Sequence, residues 1–207
     1  MPDLDLSLIN AALTRIGNAP ITALDDGTSA ATIADENYEQ VVLSELARSR
    51  FKLPSKIQQL SLIDEDEQGT PPEPWTFGYT LPTDLVKLRT VKVAGEPIPY
   101  EQMGRIIFCD FDSSSEVIAH YLWRPPESWF APEFAEGIIR RMEAIFLRGI
   151  GERHGEAAAR DKAADDQFAF ARSSDSQAQT PQEPVGSPAL RARRGQTDFP
   201  TLRARRA

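Results

Sequence analysis

The stretch Pro132-Glu-Phe-Ala-Glu-Gly-Ile-Ile-Arg-Arg-Met-Glu-Ala-Ile-Phe-Leu-Arg-Gly149 decides how the rest of the chain is read. Phe134, Ile138, Ile139, Met142, Ile145 and Phe146 recur at the spacing of one helix face. Charges fall between them, at Glu133, Glu136, Arg140, Arg141, Glu143 and Arg148. Burying six such side chains contributes at most roughly 9–18 kcal/mol, far more than the tenths per residue of helix propensity. The helix therefore needs partners to pack against. Continued to Arg172 without a break it would run about 60 Å. Gly149, Gly151 and Gly155 oppose that, since glycine costs about 1 kcal/mol against alanine inside a helix. The spacing predicts two helices, 133–149 and 155–172, with a glycine-marked break.

Partners lie upstream. Leu8, Ile9, Ala12, Leu13 and Ile16 predict a helix over 5–16, capped by Asp3 or Asp5 and closed by Gly17 and Pro20. Asp25-Asp-Gly27 signals a turn. A second helix is expected over 29–51, opened by Thr28 or Ser29, with Ile33, Tyr38, Val41, Val42 and Leu46 on its face. Arg48 and Arg50 suit its negative C-terminal end, and Pro54 stops it. From Leu53 to Pro74 the chain is polar and without period, which predicts a solvated loop.

From Trp75 the texture becomes that of strands. Leu85–Val93 alternates, Gly95-Glu-Pro97 reads as a turn, and Arg105–Phe111 and Glu116–Trp123 read as strands around a turn at Asp112-Ser-Ser-Ser115. Three or four locally connected strands predict a small antiparallel meander. The expected fold is α+β and mainly α: a helical bundle with a β insert at about 75–123, a body over 1–172 and an extended C-terminal arm over 173–207.

The 207 residues suffice for one domain with appendages. One cysteine, Cys109, excludes an intrachain disulfide and suits a reducing compartment. No apolar run reaches membrane-spanning length and the start is acidic, so a soluble protein without a cleaved signal is expected. The net charge of −8 is uneven. In 173–207, six arginines meet Asp175, Glu183 and Asp198, leaving +3, while 17 basic and 28 acidic residues leave the body at −11. The arm repeats a short pattern, Leu190-Arg191-Ala-Arg193-Arg194 and Leu202-Arg203-Ala-Arg205-Arg206, with Phe199 between. Pro181, Pro184, Pro188 and Pro200 oppose a helix there, so the arm is expected to order on a partner.

Catalytic groupings are hard to find. His120 in a strand and His154 at a helix end have no nucleophile at a recognisable spacing, and Cys109 in an apolar run reads as a small buried hydrophobe. Two histidines and a cysteine do not complete a structural zinc site. Asp64-Glu-Asp-Glu67 lacks the spacing of a calcium loop, and no phosphate-cradling glycine motif is present. No cofactor, metal or catalytic residue is expected, and residue chemistry alone points to an assembly or interaction protein.

Several motifs, taken in order, carry a resemblance. They are Leu8-Ile-Asn-Ala-Ala-Leu-Thr-Arg-Ile-Gly-Asn-Ala-Pro-Ile21, Asp25-Asp-Gly-Thr28, Trp75-Thr-Phe-Gly-Tyr79, Leu81-Pro-Thr-Asp-Leu-Val-Lys-Leu-Arg89 and Ile106-Ile-Phe-Cys-Asp110. Tyr121 before a proline bend, Phe134 opening a helix, and Phe170-Ala-Arg-Ser-Ser-Asp-Ser-Gln177 follow. Over about residues 6–180 the chain resembles the tubular tail protein A family of tailed bacteriophages, the head-to-tail adaptors of short-tailed particles. Relatives often have Cys-Leu-Arg where this chain continues Leu85-Val-Lys87.

The resemblance implies a homo-oligomeric ring in the virion at the head–tail junction, commonly of about twelve copies and assembled in the host cytoplasm. It implies a portal protein on one side, a tail nozzle or tail tube on the other, and double-stranded DNA passing without specific binding. It also implies that the arm reaches the portal, where Leu190, Phe199 and Leu202 serve as apolar anchors. Arg191, Arg193, Arg194, Arg203, Arg205 and Arg206 then fix the register. Two alternatives stay open: cell-wall (peptidoglycan) hydrolysis, ascribed to some such adaptors, and nucleic-acid binding by the basic arm.

Overall fold

The computed structural model describes residues 6–48, 54–63, 71–112 and 114–177. Its elements are α1 (Ser7–Arg15), α2 (Ser29–Arg48), β1 (Ser55–Gln59), β2 (Ser61–Leu62), β3 (Phe77–Thr80), β4 (Leu85–Val93), β5 (Glu96–Pro97), β6 (Glu101–Met103), β7 (Ile106–Cys109), β8 (Val117–Trp123), a 3-10 turn (Glu127–Trp129), α3 (Pro132–Gly149) and α4 (His154–Gln177). The fold is α+β, with helices flanking two antiparallel sheets in the chain.

The α3 stripe is the centre of the helical core. Phe134, Ile138, Met142 and Phe146 are buried with Ile9 and Leu13 of α1, Tyr38 and Val42 of α2, and Phe168 of α4. The expected faces of α1 and α2 are thus correct in outline, although Leu8, Ile16, Ile33 and Val41 are only partly buried, as is Ile145 of α3. Helix α1 begins with no side-chain cap, and the aspartates expected to provide one lie outside the described residues. Its end is as expected. Gly17 takes a left-handed φ of +84°, and Asn18 N donates to Leu13 O at 2.9 Å. Thr28 caps α2, its hydroxyl oxygen accepting from Ala31 N at 3.1 Å, and Asp26 in turn holds Thr28. The final turn expected for α2, with Arg50, falls outside the described residues.

Between α3 and α4 the break is real, yet the residue with positive φ is Glu152, at +50°, rather than a glycine. The glycine that matters sits elsewhere. A Cβ on Gly137 would lie 2.6 Å from the Phe168 ring, so the bare backbone lets α4 settle onto α3. Helix α4 also continues past Arg172 to Gln177, so the start of the expected extended arm is helical, with Ala171 still buried.

Two expectations for the β part are corrected. Residues 55–62, read as loop, are strands: β1 pairs with β8 and β2 with β3. Lys, Gln and Ser dominate this edge and most of it faces solvent, so no alternation betrayed it. Nor is the lobe a meander. One sheet runs β1-β8-β4-β5 and the other β2-β3-β7-β6, an order far from chain order. Glu96-Pro97, read as turn, is itself an edge strand, and the turn residues are Ala94 and Gly95, with φ of 50° and 88°.

The arrangement has a simple logic. Segment 55–62 is an edge of both sheets, and segment 96–103 is the opposite edge of both. Each bends from one sheet into the other, at Leu60 and at Ile98–Tyr100, so the sheets fold over one core like a flattened barrel. Leu60, Tyr79, Leu81, Val91, Ile107, Cys109, Val117, Ala119 and Tyr121 fill it. Cys109 is buried there, as expected, and burial pushes its thiol pKa up.

Candidate functional site

The nine arm residues expected to dock, Leu190, Arg191, Arg193, Arg194, Phe199, Leu202, Arg203, Arg205 and Arg206, lie outside the described residues, as does the acidic run 64–67. Charged groups instead converge where the helices meet the β lobe. Arg124 follows β8 directly, and its side chain is only 10% exposed. Its Nε donates to both Glu39 carboxylate oxygens at 3.1 Å, and its Nη2 to Glu39 at 3.0 Å and to Glu127 at 2.6 Å. Nη1 donates to Pro125 O at 2.7 Å. Thus one guanidinium ties α2, the end of β8 and the 3-10 turn together, with every edge used. Burial opposes its charge, but the bonds to Glu127 and Glu39 outweigh it and hold the pKa above the ordinary arginine value. The Tyr38 hydroxyl, 3.4 Å from Glu127 and buried, is pushed up as well, by burial first and the Glu127 charge second.

A second cluster adjoins the first. Lys56 of β1 donates to Asp84 at 2.6 Å and lies 3.8 Å over the Trp123 ring. The Trp129 ring meets Trp123 edge-on at 5.8 Å and is 55% exposed. The Tyr121 hydroxyl lies 2.9 Å from Asp84 and 3.0 Å from the Gln58 side chain. A hydroxyl has one proton, which belongs with the carboxylate, so the Gln58 amide turns its NH2 toward the tyrosine oxygen. Burial and Asp84 push Tyr121 up to about 12. For Asp84 burial acts upward, but the bonds from Lys56 and Tyr121 prevail and lower its pKa. Between the clusters a groove of about 820 Å³ runs along α2 and the start of β4, lined by Glu36, Glu39, Leu43, Asp84, Leu85 and Arg124.

Ion pairs also join the helices. Arg15 donates to both Glu136 oxygens at 2.8 Å, which lowers the Glu136 pKa, the Arg15 bond being the largest cause. Arg141 reaches Asp161 at 2.9 Å, Asp165 at 2.6 Å and Glu45 at 3.4 Å. Glu143, one of the charges that fall between the apolar positions of α3, is fully buried. Arg15 lies 3.4 Å from one of its oxygens. Arg160 Nε lies 3.2 Å from the other but off the hydrogen-bonding direction, leaving an ion contact without a hydrogen bond.

Chemically these groups suit holding surfaces in place. Each junction carboxylate already has a cation, and the groove lining includes neither histidine nor cysteine. His120 sits mid-strand on β8, as expected, its pKa lowered by burial and then by Lys92. His154 opens α4 on the surface. Among the described residues no three His, Cys, Asp or Glu side chains are placed to hold a metal ion, and no helix is long and apolar enough to cross a membrane. The junction escaped sequence reading because Arg124 and Glu39 lie 85 positions apart. The available signal was a lone arginine between a strand and Pro125-Pro126. No protein-family model matches the chain, and no curated protein matches it either.

Proposed function

We propose that this chain is a structural virion protein, the head-to-tail adaptor of a tailed bacteriophage. In this reading it forms a ring beneath the portal, with a helical bundle, a β insert and an extended C-terminal arm. The observation that carries the reading is the ordered series of motifs from Leu8 to Gln177. In support, the Arg124–Glu39–Glu127 lock joins lobe to helices, as suits a body that transmits load instead of turning over substrate. The acidic body presents like charge to passing DNA and resists adhesion. The arm's arginines and its apolar anchors Leu190, Phe199 and Leu202 dock on the portal, and repetition around a ring converts weak single contacts into avidity.

Electron microscopy of the protein mixed with portal rings tests this directly. The expected result is an added ring on one face of the portal, lost when residues 181–207 are deleted. Wild-type protein that leaves portals bare would overturn the reading, as would normal joining by the truncated chain.

A further inference from the structure

The β1-β8-β4 sheet has an outer face of unusual composition for so acidic a body. Strand alternation and the pairings Ile57↔His120, Thr90↔His120 and Lys92↔Ile118 set these side chains on one surface, away from the core formed by Val91, Ala119 and Tyr121. Arg89 reaches across β8 on the same side, Nη1 donating to Ser55 Oγ at 2.9 Å. Three cations, Lys87, Arg89 and Lys92, thus share the face, Lys87 at the end where it donates to Ala47 O of α2 at 3.0 Å, and strands β1 and β8 add no carboxylate to it. At its β1 edge Ile57 is 67% exposed, the most exposed large apolar side chain among the described residues.

The same chain carries a counterpart. The groove along α2 presents Glu36 beside Leu43, Leu85 and Val86, an apolar floor with a negative rim on which Glu39 is already held by Arg124. We propose that the outer face of the β1-β8-β4 sheet in one copy docks into the α2–β4 groove of the next, with Ile57 against the Leu43 side and Lys92 and Arg89 toward Glu36. A basic patch flanked by an exposed isoleucine fits an acidic, apolar groove better than it fits a phosphate backbone, which needs no exposed isoleucine. Because the two surfaces differ, the contact is heterologous, and its repetition gives a ring when the rotation between copies closes, as the adaptor reading requires. The inference rests on the adaptor reading and specifies its subunit contact.

Charge exchange tests it. Lys92→Glu and Glu36→Lys, both on solvent-accessible side chains, are each mixed with portal rings and viewed by electron microscopy. Each variant alone is expected to lose the added ring. An equimolar mixture and the double variant in one chain are both expected to restore it, since opposite charges again meet. A Leu43→Cys, Ile57→Cys chain is expected to give an oxidised ladder beyond dimers. Rings formed normally by both single variants would overturn the contact while leaving the adaptor reading intact. A ladder that stops at dimers would do the same. Wild-type protein that forms no ring on the portal sinks the adaptor reading and this contact with it. Loss of duplex-DNA retention by Lys92→Glu with rings unchanged would reassign the face to a polyanion and overturn the proposal.

Discussion

Arg124 shows most sharply how a single side chain governs this molecule. Its removal strands Glu127, whose side chain is 4% exposed, as a buried charge without its cation. Arg124→Met is expected to cost about 3–5 kcal/mol, the usual penalty for breaking a buried pair. Adding Glu127→Gln is expected to recover part of the loss. A double-mutant cycle by urea denaturation measures both, and purely additive effects would refute the coupling. Gly137 offers a steric counterpart. Gly137→Ala forces a methyl toward the Phe168 ring at 2.6 Å, and overpacking of this kind costs about 1–3 kcal/mol despite the better helix propensity of alanine. A melting temperature at or above wild type would show that the α3–α4 contact is soft.

At the scale of elements, α1 and α3 are joined by ions in two unequal ways. Glu136 gains a bidentate arginine and a lowered pKa, so the folded state binds fewer protons than the unfolded one below the ordinary carboxylate range. Its contribution is complete above the unfolded pKa and is lost as pH falls through the folded value. Glu136→Gln is therefore expected to flatten the acid limb of stability against pH, measured by denaturant titration at successive pH values. Glu143 is the poorer investment, fully buried with one oxygen lacking a hydrogen bond. Glu143→Leu keeps the volume and removes the desolvated charge, so it is expected to be neutral or stabilising by about 1 kcal/mol. A loss above about 2 kcal/mol in calorimetry would mean that Arg15 and Arg160 depend on it. In the lobe, Tyr79 and Tyr121 are both raised to about 12, in each case chiefly by burial. Their stabilising effect is complete below pH 10 and fades as pH rises toward 12. Tyrosinate absorbance of Tyr121→Phe against wild type should lose a late-titrating step.

Elements also show what was legible in the chain. The α3 stripe, the Thr28 cap and the Gly17 stop were readable because each rests on neighbours within a turn or two. Strand β1 was not, since Lys56, Gln58 and Gln59 sit on an edge where backbone pairing, not apolar alternation, makes the strand. For the same reason Pro97 looked like a turn, although an edge strand tolerates it. The junction could not be read at all, because its partners come from α2, β8 and the turn after it, and only the fold brings them together.

For the whole molecule, every buried core residue among those described belongs to residues 9–171. Deleting 181–207 is accordingly expected to leave the melting temperature within about 1 °C of wild type, by calorimetry, even as it abolishes portal joining. A larger drop would give the arm a share in the monomer's stability.

The two segments that border both sheets have a mechanical consequence. Neither sheet can peel off as a separate leaf, because each lateral seam is continuous polypeptide shared with the other. Amides of β8 and of β3 should therefore surrender deuterium protection together, in one cooperative opening, though they belong to different sheets. Tension applied to the lobe would meet a closed box and not a pair of independent flaps.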